Sequence, residues 1–348
     1  MTNKVFHFSF RRAAVALLIV LLLAAIIPLV FILYWPLGQP SPEQTADIRI
    51  KFGTPPDSIA AVMERAGIVS SSGRFLWALK LLNKGGALRA GHFRIPYPLS
   101  NQRAIRALTE GPQILTKVTI PEGLTTRRIA AIFHREMALD SARFVQLARD
   151  SSFIARFRIQ AADLEGYLYP ETYLFPYGST EAQVITPMVL QFKKMVWDTL
   201  YQRSQEMGFT TGEMVTLASI IQAEAKLSRE MRTISSVYHN RLRLGIPLQA
   251  DPTIQYLLPN GPRRLLYRDL EIDSPYNTYL YRGLPPGPIG NPGKEAVLAA
   301  LHPEATDYLF FVADTRGGHT FSANFRGHLK AKSVLDRERK RLSQANRK

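Results

Sequence analysis

The sequence predicts an α+β protein held on a single N-terminal transmembrane helix, with one or two small strand-and-helix modules ahead of a larger mixed α/β domain. Three observations predict it: an uncharged apolar run near the N-terminus, a strand–glycine–helix pattern that recurs seventy positions apart, and a change of texture after Phe157. The expected organisation is a cytoplasmic tail at 1–12, a transmembrane helix at 13–35, a linker at 36–46, the α+β modules at 47–157 and the larger mixed α/β domain at 158–348.

The first element is the anchor. From Ala13 to Trp35 no side chain carries a charge, and a helix of that length rises roughly 34 Å, enough for the hydrocarbon core of a bilayer. A cleavable signal peptide has a shorter apolar stretch and a small-residue cleavage site; this run ends in Tyr34 and Trp35, which suit the membrane interface. Lys4, Arg11 and Arg12 precede it and the first acidic residue is Glu43, so the positive-inside bias keeps the N-terminus cytoplasmic and the rest outside. Pro36 to Gln44 reads as a linker.

The second element is the repeat. Ile50, Gly53, Ile59, Ala60, Ala61 and Arg65 recur as Ile120, Gly123, Ile129, Ala130, Ala131 and Arg135, and Arg74-Phe75 and Arg143-Phe144 follow the two copies. Each copy reads as a strand, a glycine turn and an amphipathic helix. Two readings stand side by side: similar supersecondary units packing on their neighbours, or a pair of glycan-binding modules. Nothing in the repeat is itself a ligand signature.

After Phe157 come aromatic-rich loops, one strong helix and Pro/Gly-rich connections up to Gly293, the texture of a cleft. A strand is expected at Tyr308–Val312, and the basic stretch Leu329–Arg347 reads as a solvated helix, with a lipid-binding helix as the alternative.

Composition narrows the chemistry. The chain has 348 residues, 46% of them apolar, no cysteine and a formal charge of +16. Disulfides, thiol nucleophiles and sulfur-ligated zinc are excluded. The positive charge favours a polyanionic neighbour, acidic lipid or an acidic wall polymer; no nucleic-acid-binding signature accompanies it. The histidines show neither a pair at helical spacing nor a His-Glu-x-x-His run, so no metal site is expected. Carboxylates remain.

The helix expected over Glu213–Ala225 places Met214, Leu217, Ala218, Ile221 and Ala225 on one face. Glu224, seven positions after Leu217, points the same way, and Gln222 points elsewhere. Desolvation on an apolar face keeps a carboxyl protonated near neutrality, the profile of a glycosidase general acid. The alternative is a helix-end glutamate reaching solvent or paired with Lys226 or Arg229.

Around that helix stand EGYLYPETY (Glu165–Tyr173), SVYHNRLRLGIPLQADPTIQY (Ser236–Tyr256), SPYNTYLYRGLPPGPIGNPG (Ser274–Gly293) and FVADTRGGHTF (Phe311–Phe321). Their interleaved amides, carboxylates and aromatics suit a sugar polymer. With LASIIQAEA (Leu217–Ala225), these segments resemble the MltG/YceG family of endolytic murein transglycosylases. The resemblance runs from about Glu165 to Phe321; the anchor and the α+β modules, similar to LysM domains, fit the same layout.

The resemblance implies that Glu224, at the second acidic position of the family's Ala-Ser-Ile-x-Glu/Gln-x-Glu motif, is catalytic, with Gln222 at the first. It implies cleavage of the MurNAc-β-1,4-GlcNAc bond within nascent strands to 1,6-anhydro ends, with no cofactor, metal or second carboxylate. Peptidoglycan strands and the bilayer are the expected partners, peptidoglycan synthases follow by analogy, and the cytoplasmic (inner) membrane is the expected location, with the catalytic domain periplasmic. Asn240 and Gln249 are candidates for orienting N-acetyl or hydroxyl groups, Asn277 and Tyr279 for lining a subsite, each with bonding to nearby loop backbone as the alternative. Asp251 is the candidate second acid, or a turn former before Pro252. His319, after two glycines, reads as a turn cap. The rival functions are a non-catalytic wall-binding or assembly protein and a muramidase that uses water.

Overall fold

The computed structural model describes residues 3–34, 44–259, 261, 263–315 and 317–345. Helix α1 spans Asn3–Tyr34. Its stretch Arg12–Tyr34, 23 residues, is long and apolar enough to cross a membrane. Trp35 and most of the expected linker, 36–43, lie outside the described residues.

The chain forms two compact units: Met1–Lys117 with Leu174–Ser179, and Val118–Tyr173 with Thr180–Lys348. In the first, strand β1 (Thr45–Ile50) pairs antiparallel with β2 (Gly91–Pro96), Ile48 opposite Phe93. Alternation explains the pairing: Ile48, Ile50, Phe93 and Ile95 turn to the core while Arg49 and Arg94 face out. Between the strands lie α2 (Pro56–Arg65) and α3 (Ser72–Leu81), and α4 (Asn101–Thr109) follows. Serine N-caps start the last two, Ser71 accepting from Arg74 N and Ser100 from Arg103 N. Ile59, Ala60 and Met63 of α2 and Phe75 of α3 close the core over the hairpin. The end of α1 belongs to this unit: Asn101 Nδ2 donates to the Ile32 carbonyl at 2.6 Å, and the Arg74 guanidinium lies 5.3 Å from the Phe31 ring centre.

Strand β3 (Leu115–Thr119) leads to α5 (Thr126–Met137), α6 (Ser141–Leu147) and α7 (Ser151–Ala155), and pairs with β4 (Thr172–Pro176). Both copies of the repeat thus fold as strand, left-handed glycine and two helices, with Gly53 at φ +79° and Gly123 at φ +76°. The recurring Ile50/Ile120, Ile59/Ile129 and Phe75/Phe144 are all buried. The copies differ in what their strands pair with: β1 takes its neighbour β2, whereas β3 takes β4, more than fifty residues on.

The second unit continues with α8 (Glu181–Phe192), a π-helical turn at Lys193–Trp197, α9 (Asp198–Glu206), α10 (Thr211–Glu224), α11 (Met231–Arg243), α12 (Asp251–Leu257) and α13 (Lys294–Leu301). Antiparallel strands β5 (Phe310–Ala313) and β6 (His319–Ser322) form a hairpin, and α14 (Phe325–Ala345) closes the described chain. The basic final helix, read from sequence as solvated, is largely exposed but rests on the hairpin through His328, whose ring lies 5.4 Å from Phe310.

Candidate active site

Helix α10 is the axis of the site. Thr210 caps it, with Glu213 accepting from the Thr210 amide at 2.7 Å to complete a capping box. The expectation of one apolar face is corrected here: every residue from Met214 to Ile221 is buried. Such a helix is packed on all sides; α9, α11, α12 and α13 surround it. Its polar residues point inward to fixed partners, Ser219 donating to the Thr216 carbonyl and accepting from Ile289 N.

The helix ends at Glu224, where the packing opens. The residue is half-buried, and its Oε1 accepts a hydrogen bond of 3.1 Å from the Tyr238 hydroxyl of α11. No basic side chain among the described residues forms an ion pair with it, so the reading that paired it with Lys226 or Arg229 does not hold. The surrounding protein pushes its carboxyl up to about 7; desolvation is the main cause, the Asp251 charge adds to it, and the Tyr238 hydrogen bond opposes it. Near neutrality this group can both give and take a proton. Gln222, two residues earlier, points elsewhere: its Oε1 accepts from Gly293 N at 3.0 Å.

Asp251 opens α12 ahead of Pro252, and its Oδ1 accepts from the Tyr279 hydroxyl at 2.5 Å. Burial and that carboxylate hold the Tyr279 hydroxyl far above its ordinary range. The two segments are fastened together: Gln249 N donates to the Thr278 carbonyl, Ala250 N to Thr278 Oγ1, and the Thr253 and Thr278 hydroxyls lie 3.0 Å apart. Glu224, Tyr238, Asp251 and Tyr279 therefore form one electrostatically linked group.

The other candidates fare differently. Gln249 is exposed, in a left-handed conformation (φ +48°), with its Oε1 3.5 Å from Arg241 Nη1. Asn277 is corrected from subsite lining to loop staple: it is wholly buried, donates to the Leu270 and Ile272 carbonyls and accepts from Tyr279 N. Asn240 is corrected likewise, since both its amide hydrogens go to the Thr306 and Tyr308 carbonyls and its oxygen accepts from Arg243. His319 does more than cap a turn: its Nδ1 lies 2.8 Å from Glu230 Oε2, tying β6 to the start of α11.

Several residues that shape the site carry no signal of their own in the sequence. Tyr238 is one. Arg241 is another: buried, it donates to the Leu309, Pro247 and Leu248 carbonyls and so braces the turn before Asp251. Asn291, wholly buried, donates to the Leu124 carbonyl and Glu165 Oε1 and accepts from Leu168 N. Glu165 itself accepts from Thr126 N, and burial pushes its carboxyl up to about 8.

Known proteins share this layout. A model of the YceG-like family matches residues 48–334. The endolytic murein transglycosylase of Bacillus subtilis (strain 168) is 33% identical over 306 residues, 83% of this chain and 84% of that protein. That of Streptococcus pneumoniae serotype 2 is 29% identical over 313 residues, 80% of this chain but 56% of the longer relative. The crystal structure of the YceG-like protein lmo1499 from Listeria monocytogenes matches with a TM-score of 0.58 at 30% identity, over 83% of this chain and 99% of that one. With most of its length inside the family model and a similar arrangement in a solved relative, the chain belongs to the YceG-like family.

Proposed function

We propose that this chain is an endolytic murein transglycosylase that cleaves MurNAc-β-1,4-GlcNAc bonds within nascent glycan strands, with Glu224 as acid and then base. The observation that carries the reading is the Glu224 carboxyl, held near a pKa of 7 by burial and oriented by Tyr238 at the open end of α10. The named activity of the Bacillus and pneumococcal relatives supports it.

In this mechanism protonated Glu224 donates to the glycosidic oxygen as the bond from the muramyl C1 breaks. The muramyl 6-hydroxyl bonds to C1 and its proton passes to the Glu224 carboxylate, which regenerates the acid and closes the 1,6-anhydro ring. No water is consumed, and one carboxyl serves both transfers. Tyr238 is a positioning residue, and Asp251 with Tyr279 and Gln249 borders the substrate.

A muramidase using water is the second reading, and one observation favours it: Asp251 lies within electrostatic reach of Glu224, as a two-carboxylate hydrolase requires. Asp251→Asn separates the two. The transglycosylase retains most of its rate; the hydrolase loses as much as with Glu224→Gln.

The N-terminal helix serves in this proposal as a single-pass anchor in the cytoplasmic membrane, N-terminus inside, with the catalytic unit in the periplasm. The β1–α2–α3–β2 hairpin unit is the LysM-like, glycan-holding module, and the cut terminates strand elongation beside peptidoglycan synthases. Glu224→Gln keeps the shape and removes the proton, and it lowers release of muropeptides from purified sacculi by at least about a thousandfold. Undiminished release by that variant overturns the assignment of Glu224.

A further inference from the structure

Residues 222 and 223, just before Glu224, and Pro252, just after Asp251, line a cavity of about 690 Å³ within the second unit. The size is that of a ligand pocket. Nothing in the proposed proton transfers uses it.

Its wall is cationic. Arg127 and Arg128 at the start of α5 and Arg149 after α6 line it, all three exposed, and none of them forms an ion pair among the described residues. Against them stand the carboxylates of Glu122 and Asp163. The third acid, Glu165, is buried and stays protonated up to about pH 8, so it does not cancel the guanidiniums near neutrality. The cavity therefore carries a positive excess and presents forks suited to carboxylates.

Opposite in character, Tyr256 and Tyr276 stand with ring centres 5.1 Å apart and give the cavity an apolar wall.

We infer that this cavity is a subsite for the acidic peptide stem carried by the muramyl residue being cut, with Arg127, Arg128 and Arg149 pairing its carboxylates and the Tyr256–Tyr276 pair covering its aliphatic part. The inference rests on the transglycosylase reading for its substrate. A stem is the anionic, partly aliphatic group attached to the very sugar that Glu224 would act on, and Ala223 and Pro252, the chain neighbours of Glu224 and Asp251, line the cavity.

The test uses the full chain in detergent and a synthetic acidic stem tetrapeptide. Calorimetric titration is expected to show binding to the wild type and to Glu224→Gln alike, weakened at least tenfold in Arg127→Gln/Arg149→Gln. In parallel, the wild type is expected to cut stem-bearing strands about tenfold faster than strands stripped of stems, and the double variant to bring that ratio close to one. Absence of peptide binding to the wild type, or an unchanged ratio in the double variant, overturns the subsite. Failure of the transglycosylase reading looks different: Glu224→Gln then cleaves as well as the wild type, whatever the peptide does.

Discussion

A carboxyl held at a pKa near 7 leaves two separate traces, one in stability and one in rate. Burial raises the Glu224 carboxyl from an ordinary 4.5 to about 7 in the folded chain. Below pH 4.5 both folded and unfolded chains are protonated and nothing is lost. As pH rises from 4.5 to about 7 the unfolded chain releases its proton while the folded one keeps it, so stability falls across that window and levels off above it. Glu224→Gln is therefore expected to stabilise the chain by roughly 1–3 kcal/mol at pH 8 and by nothing measurable at pH 4; denaturant titration at the two pH values checks this. With Glu224 as the proposed acid, the same protonation is expected to set the rate, activity declining above about pH 7 where the proton is lost. Tyr238 holds that limb down, because its hydrogen bond favours the ionised carboxylate. Tyr238→Phe is expected to move the alkaline limb of the pH–rate profile to higher pH and to lower kcat roughly tenfold through lost orientation. A limb that stays in place or moves down contradicts the role given to Tyr238.

At the scale of elements, the site depends on loops held by buried polar groups against one fully packed helix. The segment Gly287–Gly293 shows how tight this is: Gly123 N donates to the Asn291 carbonyl at 2.7 Å, and a Cβ on Gly290 would stand 2.7 Å from the Gly123 carbonyl oxygen. Gly290→Ala is expected to cost about 1–3 kcal/mol in chemical unfolding, since backbone, and not a movable side chain, must give way. The position of α10 was legible in the sequence within two residues at either end, because apolar residues three and four apart over Glu213–Ala225 identify such a helix. So was the opposite aim of Gln222 and Glu224. Its burial on every side was not legible, since the periodicity of one helix does not count its neighbours. Tyr238, Arg241 and Asn291 escaped for a related reason: each matters through a partner fourteen to more than a hundred residues distant, or through carbonyls that leave no mark on residue type. Asn240 and Asn277 misled in the reverse sense, as amides in a glycan-like motif that are spent on backbone.

For the molecule as a whole, anchoring by the apolar N-terminal helix is a proposal about which strands are cut. Its membrane-length apolar run was legible from the absence of charge over Ala13–Trp35 alone, whereas the division into compact units at Lys117 was not, because both repeat copies look alike in sequence and differ only in which strand each one pairs with. If the anchor confines cutting to newly made strands, a version lacking residues 1–35 and exported by a cleavable signal is expected to alter glycan strand length in cells; an unchanged length distribution contradicts that confinement and leaves the chemistry intact. In the proposed mechanism Glu224 directs an intramolecular closure in which water takes no part. Digestion of purified strands in oxygen-18 water, followed by mass spectrometry of the new ends, separates the outcomes: 1,6-anhydro ends without the label, absent with Glu224→Gln, are expected, and labelled reducing ends overturn the mechanism.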